Sequence, residues 1–291
     1  MFVLKEIIEY YFSFNSPVYV CYLDASKAFD RLNHWTLFDT LLKRGIPIFA
    51  VRLLKVWYTT QTFIVQWGSD MSTSFNVSNG VRQGGVLSPL LFNTYMYDLS
   101  VKLNETGVGC NINDIFINHL FYADDSVLLS PSAHGLQLLL NTCDEFANCK
   151  DITYNVKKTK CMIFLPKWLR DLKPHTFILG GRFLTSTCEH NYLGVIICDK
   201  LCDDICIRKQ MKGIYARGNM LVRYFRKCST EVRCQLFKSF CTSLYCCSLW
   251  TRYKKTVISA IEVAYKNVFR ALMNVKRGST TTEMINYNVP T

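Results

Sequence analysis

Residues 118–130 read Asn-His-Leu-Phe-Tyr-Ala-Asp-Asp-Ser-Val-Leu-Leu-Ser, two short apolar runs with a pair of carboxylates, Asp124 and Asp125, at the bend between them. The flanks at 120–123 and 127–129 are long enough for short strands, and Asp suits the turn that joins them, so the pair is expected at a hairpin tip. Mg²⁺ is normally held by one or two carboxylates together with substrate phosphates, which makes an acidic tip a candidate seat for a catalytic cation. Asp-Asp also occurs in ordinary solvated turns, and two other segments decide between these readings.

Val18-Tyr19-Val20-Cys21-Tyr22-Leu23 is an unbroken apolar run that stops at Asp24, the pattern of a buried strand ending in a carboxylate. Beside the hairpin it would supply a third carboxylate, the usual minimum for two divalent ions about 4 Å apart. Asp30 and Asn33 are better placed than Asp24 to cap the helix that follows. The third segment is Gly80-Val-Arg-Gln-Gly-Gly-Val-Leu-Ser-Pro-Leu-Leu-Phe92. It holds a glycine-flanked turn, Arg82-Gln83-Gly84-Gly85, and then Ser88-Pro89 opening an apolar helix to about Leu103. Glycines in such a turn let a backbone approach a base pair or a phosphate closely.

At 291 residues the chain can bury a sizeable core, as one large domain or as two lobes. Its charge is uneven: residues 1–150 hold 10 Lys+Arg against 13 Asp+Glu, net −3, and residues 151–291 hold 24 against 9, net +15. That imbalance points the second half at a polyanion. Its cations Arg208, Lys209, Lys212, Arg217, Arg223, Arg226 and Lys227 alternate with Tyr215, Tyr224 and Phe225, as in helices lying along a nucleic-acid backbone. The 14 cysteines are scattered; Cys198, Cys202 and Cys206 fall at steps of four and are expected to share a helix face. Without a matched Cys/His pair at finger spacing they read as buried thiols in a reducing compartment. No run reaches the roughly 18 apolar residues of a membrane span and no secretory segment is evident, so the expected setting is intracellular, cytoplasmic or nuclear, with no membrane partner.

Helices are predicted over residues 2–12, 35–44, 47–59 and 131–148, strands over 18–23, 162–165 and 175–179, and a strand pair at 63–67 and 74–77. From 199 onward the pattern is almost wholly helical, through an amphipathic stretch at 258–273. The predicted fold class is α+β, a sheet with packed helices over 1–197 followed by a basic helical region over 198–291.

Taken in order, the three segments resemble the palm motifs of reverse transcriptases, most closely those of non-LTR (LINE-type) retrotransposons. Leu23-Asp-Ala-Ser-Lys-Ala-Phe-Asp30 is similar to the family's first palm motif, the Gly80 segment to its second, and Phe121-Tyr-Ala-Asp-Asp125 to its tyrosine-x-aspartate-aspartate motif. Tyr154-Asn-Val-Lys-Lys-Thr-Lys-Cys161 is similar to the lysine-bearing fourth motif, His190-Asn-Tyr-Leu-Gly-Val195 to the primer grip, and the basic tail to the thumb. The resemblance implies an antiparallel palm with partial fingers at about 31–79 and a helical thumb. It implies an RNA-directed DNA polymerase, in which a primer 3′-hydroxyl attacks the α-phosphorus of a deoxynucleoside triphosphate on an RNA template and pyrophosphate leaves. Two Mg²⁺ ions, with Mn²⁺ as a substitute, would be held by Asp24 and Asp124, by Asp125 as a secondary ligand, and by the carbonyl of Ala25. Phe29 matches the aromatic that crowds the sugar 2′ position. Arg82, Gln83, Gly84 and Gly85 would lie against the nucleotide, Lys160 would protonate the pyrophosphate with Lys157 and Lys158 as alternatives, and Tyr192, Leu193 and Gly194 would grip the primer.

Upstream the pattern departs from the family: 23 residues precede Asp24, fewer than the fingers strands and endonuclease of such elements need. The chain is therefore expected to be a palm and thumb of a longer polyprotein. Two alternatives stand beside this reading. One is a catalytically inactive nucleic-acid-binding remnant, against which the three intact carboxylates weigh. The other is a group II intron maturase, whose second motif also contains Gln-Gly-Gly and Ser-Pro-Leu-Leu but which matches less well at Ala28-Phe29-Asp30-Arg31, Asn33-His34 and Gly80-Val81-Arg82-Gln83.

Overall fold

In the computed structural model, which describes residues 1–166, 169 and 175–290, the apolar run becomes Val18–Asp24, the central strand of a five-stranded sheet. The strand order is Thr185–Ser186, Lys160–Phe164, Val18–Asp24, Asp125–Ser130, His119–Tyr122. Every ladder is antiparallel except the edge pair of Lys160–Phe164 with Thr185–Ser186. A strand covered on both faces has no solvent side for polar residues, and Val18 through Leu23 are accordingly all apolar and all buried. The two-residue period sends Tyr19, Cys21 and Leu23 into one core with Leu99, Leu136, Leu140 and Phe146 of the helices Ser88–Glu105 and Ala133–Cys149. Val20, Tyr22 and Asp24 take the opposite face.

Local signals set the helix starts. Asn33 caps His34–Lys43 by accepting from the amides of Trp35 and Thr36, Ser132 caps Ala133–Cys149, and Pro89 occupies the first turn of Ser88–Glu105. Asp30 caps nothing; it lies in the single helical turn Ala28–Arg31. The strand pair expected at 63–67 and 74–77 splits in two. Thr62–Phe63 pairs with Phe75–Asn76, while Gly68, at φ +63°, folds Gln66–Trp67 back onto Asp70–Met71 as a separate hairpin. The strand expected at 175–179 shortens to Ile178–Leu179, turned back on Arg182–Phe183 by Gly180 and Gly181, both at positive φ.

The chain divides into two compact units, Glu6–Cys188 and a second made of Glu189–Thr291 with Met1–Lys5. The second begins ahead of residue 198 because Glu189–Tyr192 and Val195–Cys198 pair with each other and not with the five-stranded sheet. Met1–Lys5 belongs to it because Lys5 is buried there: its ammonium meets Asp203 Oδ1 at 2.5 Å and donates to the Leu249 carbonyl at 2.7 Å. The other Asp203 oxygen accepts from the amides of Thr251 and Arg252, so the buried carboxylate is well supplied with donors. The rest of this unit packs the helices Asp204–Phe225, Thr230–Cys241, Lys255–Met273 and Thr280–Asn286 around Ile214, Leu221, Phe237, Val268, Phe269 and Met284. Cys198, Cys202 and Cys206 do not share a helix face: the first ends a strand, the second lies in the connection, and only the third is helical. The spacing of four was matched by chance to a strand-to-helix junction. Among the described residues no helix is long and apolar enough to cross a membrane.

Asp204–Phe225 packs tightly against Lys255–Met273 at Gly218, where an added Cβ would overlap both methyls of Val268. Gly218→Ala is expected to cost about 1–3 kcal/mol through overpacking, seen as a lower urea midpoint, and Val268→Ala in the same chain should recover part of the loss.

Candidate active site

Strand pairing assembles the acidic centre. Asp24 at the end of the central strand stands opposite Asp125, and Asp125 stands opposite Tyr122 on its other side. Directly opposed residues share a face with Cβ atoms about 4.5–5.5 Å apart, so Asp24, Asp125 and the exposed Tyr122 form a row across three strands, on the face away from the two covering helices. Asp124 lies in the two-residue turn Ala123-Asp124, at the tip, as the sequence suggests; Asp125 already belongs to the strand. Ala123 has φ +52°, a left-handed conformation that a two-residue hairpin demands and that glycine would adopt without cost. The carboxylates also oppose one another. Partial burial first, then the charges of Asp124 and Asp24, hold the Asp125 carboxyl above its ordinary value.

The backbone of Asp24 is pinned from the far side of the sheet. Its amide donates to Thr159 Oγ1 at 3.2 Å and its carbonyl accepts from the amide of Asn155 at 2.8 Å, while Ala25 bridges to Tyr154. Thr159 is fully buried. Sequence reasoning passes over Thr159 and Asn155, although both lie within the 154–161 segment, because the lysines there draw attention first. Lys160 pairs with Tyr22 and so shares the face of Asp24, and its ammonium donates to Thr185 Oγ1 at 2.7 Å. Lys157 and Lys158 are exposed.

The 80–88 segment is stitched to the loop that follows Asp24. The amides of Gly80 and Val81 donate to the carbonyls of Leu32 and Phe29, at 2.7 and 2.8 Å. Gly80, at φ +88°, lies so close to the Asp30 backbone that a Cβ would come within 2.7 Å of its carbonyl oxygen. Gln83 Nε2 donates to Asp30 Oδ1 at 3.2 Å and Arg82 Nε to Gln61 Oε1 at 2.7 Å. Asp30, Gln61, Phe63, Asn79, Arg82 and Gln83 line a cavity of about 560 Å³. Gly84 follows at φ +81°, and the three aspartates lie outside this lining. Phe29, half-buried, stacks on Phe92 with ring centroids 4.4 Å apart.

In the other unit, Leu193 and Gly194 form the tip of the Glu189–Tyr192 and Val195–Cys198 hairpin, both at positive φ as a type I′ turn requires. Tyr192 itself is buried. Tyr245 donates its hydroxyl to the Leu193 carbonyl at 3.0 Å, and Lys209 reaches Asn191 Oδ1 at 3.3 Å. Arg208, Lys209, Lys212, Arg223, Arg226 and Lys227 are exposed. Arg217 is not part of that exposed row. It falls three residues after Ile214 and four before Leu221, on the buried stripe of its helix, and its Nε and Nη2 atoms are buried.

The family model described as "Reverse transcriptase (RNA-dependent DNA polymerase)" matches residues 5–197, well over half of the chain. The chain belongs to the reverse transcriptase family. Among the relatives of this chain, the Retrovirus-related Pol polyprotein from type-2 retrotransposable element R2DM of Drosophila melanogaster is 31% identical over 191 residues, which is 61% of this chain and 17% of the relative. The probable RNA-directed DNA polymerase from transposon X-element of the same fly is 26% identical over 256 residues, 86% of this chain and 28% of the relative. The chain thus spans less than a third of the length of either. A structure of apo telomerase from Candida tropicalis, truncated from its C-terminal domain, covers 68% of this chain and 38% of its own at 16% identity and a TM-score of 0.48, too slight a likeness to define a shared architecture.

Reverse transcriptases use divalent metal ions. Among the described residues no three His, Cys, Asp or Glu side chains are gathered closely enough to hold a metal by themselves. The donor chemistry nevertheless fits: Asp24, Asp124 and Asp125 offer hard oxygen ligands only, the preference of Mg²⁺ and Mn²⁺.

The raised Asp125 carboxyl has a measurable effect on the metal-free protein. The folded state binds this proton more tightly than the unfolded one, so the contribution is most favourable below the ordinary value of 3.8 and is lost as pH rises through the elevated folded value. In EDTA, Asp125→Asn is expected to be slightly more stable than the parent at neutral pH, and the two melting curves should converge in acid.

Proposed function

We propose that the chain is the palm, partial fingers and thumb of a non-LTR retrotransposon RNA-directed DNA polymerase, which adds deoxynucleotides to a primer 3′-hydroxyl on an RNA template. The observation that carries this is the register that sets Asp24 opposite Asp125 with Asp124 at the adjoining tip, in a chain of this family. Its setting is the cytoplasm or nucleus, where the RNA template and DNA primer are found, and its working partners include the endonuclease and upstream fingers of a longer polyprotein.

Asp24 and Asp124 are the principal residues that would hold two Mg²⁺, or Mn²⁺ in their place, with Asp125 and the Ala25 carbonyl as further donors. When bound, the ions supply the charge stabilisation that in-line phosphoryl transfer requires. The protein's own contribution is positioning. Thr159 and Asn155 fix the backbone of Asp24, and the paired strands fix Asp125 beside it. Phe92 holds the Phe29 ring in one orientation, from which it excludes a 2′-hydroxyl. Arg82 and Gln83 meet the nucleotide at the cavity they border, with the Gly84 backbone beyond it, and Lys160, oriented by Thr185, donates a proton to the departing pyrophosphate. The Leu193-Gly194 tip grips the primer, with Tyr192 as its buried anchor, and the exposed cations from Arg208 to Lys227 follow the duplex backbone.

Primer extension by the purified chain on an RNA template in Mg²⁺ tests this. Extension is expected for the parent and is expected to fall to background in Asp124→Asn, while primer–template affinity stays within about twofold because backbone contacts rest on other residues. Binding by the parent without extension would support the inactive-remnant alternative. Phe29→Ala is expected to raise ribonucleotide use relative to deoxynucleotide use by roughly tenfold, the scale of a lost steric contact; an unchanged preference would remove Phe29 from the gate role.

A further inference from the structure

We infer that Gln61 is a positioning residue for the triphosphate of the incoming nucleotide, acting by holding the Arg82 guanidinium at the wall of the 560 Å³ cavity. The inference rests on the reading of the chain as a nucleotide-adding polymerase and extends it to a residue outside every motif named above.

Gln61 directly follows the Ile48–Thr60 helix and is 8% exposed, an unusual degree of burial for a glutamine. A buried amide needs a partner, and its oxygen accepts from Arg82 Nε at 2.7 Å. Arg82 itself is exposed, and its main chain is fixed as firmly as its side chain: the carbonyl accepts from the amide of Gly85 at 3.0 Å and from the Ser88 hydroxyl. The Phe63 ring lies 5.8 Å from the guanidinium carbon. A carboxylate at position 61 would orient the cation and also neutralise it. A neutral amide orients it and leaves its charge for a ligand. With Nε committed, the two Nη groups remain, and their fork suits phosphate oxygens. Asp30, the acidic residue of the same lining, accepts from Gln83, and Arg82 is the cation among the lining residues to which an anion is drawn. The volume lies within the range of about 300–1,000 Å³ usual for small-molecule sites.

The test is calorimetric titration of dTTP and of thymidine with Mg²⁺ present into the parent chain, Gln61→Met, Gln61→Glu, Arg82→Ala and the Gln61→Met/Arg82→Ala double variant, with primer-extension KM and kcat measured beside it. Gln61→Met is expected to weaken dTTP about tenfold, the effect of losing one charge-assisted hydrogen bond, with thymidine binding unmoved and the loss appearing in KM and not in kcat. Gln61→Glu keeps the acceptor and the fold, with a melting temperature like the parent's, and is expected to weaken dTTP as well by neutralising Arg82. In the Arg82→Ala background Gln61→Met should add nothing. Parent-like dTTP binding in both single Gln61 variants, an additive loss in the double variant, or a parent that binds no dTTP would overturn the inference. A parent that binds dTTP with this Gln61 dependence yet extends no primer would uphold it and remove the polymerase reading instead.

Discussion

The antiparallel register of Val18–Asp24 against Asp125–Ser130 is the constraint on which the candidate site depends. It is enforced by burial, since Tyr19, Cys21 and Leu23 fill one core while Val20 and Tyr22 are covered on the other side. A slip of one residue would turn each of these side chains to the wrong face and would also separate Asp24 from Asp125. The apolar core therefore holds in place carboxylates that repel each other and would not associate unaided.

Local costs concentrate where that core delivers the acidic groups. Ala123 takes a backbone conformation suited to glycine, and the Asp125 carboxyl carries both burial and the charges of its neighbours. Each is unfavourable by itself and is tolerated because the surrounding ladder over-determines the turn. Protein segments that break a local rule in this way tend to lie at functional sites, and here both departures fall on adjacent stretches of one hairpin.

A second regularity runs through both units. Several groups of the candidate sites are oriented by neutral hydrogen-bonding partners: Arg82 by Gln61, Lys160 by Thr185, Lys209 by Asn191, and the main chain of Asp24 by Thr159. Ion pairs are found at other positions, as in the buried contact of Lys5 with Asp203 and the exposed pairs of Lys43 with Asp39 and Lys266 with Glu262. Neutral partners fix direction without cancelling charge, which is what a surface for polyanionic ligands requires.

Much of this was legible along the chain. The unbroken apolar run announced a covered strand, the Asp pair between apolar flanks a hairpin, Ser88-Pro89 a helix start, and the second half its helices and its positive charge, because each is written in short-range periodicity and residue type. What local pattern could not show was partnership. Arg217 looked like one more cation of a basic row until the helix phase placed it on the buried stripe, and Cys198, Cys202 and Cys206 looked like a helical face across what is a strand-to-helix junction. Thr159, Gln61 and the grouping of Met1–Lys5 with the C-terminal unit carried no local signal at all, since their meaning lies in contacts with residues remote in the chain. The sequence by itself determined the family and marked the three aspartates as candidates, because chemistry is carried by residue types at short spacing. Only the tertiary structure decided that Asp24 faces Asp125 and that Gln61 holds Arg82, because the pairing of distant segments is set by the burial of everything between them.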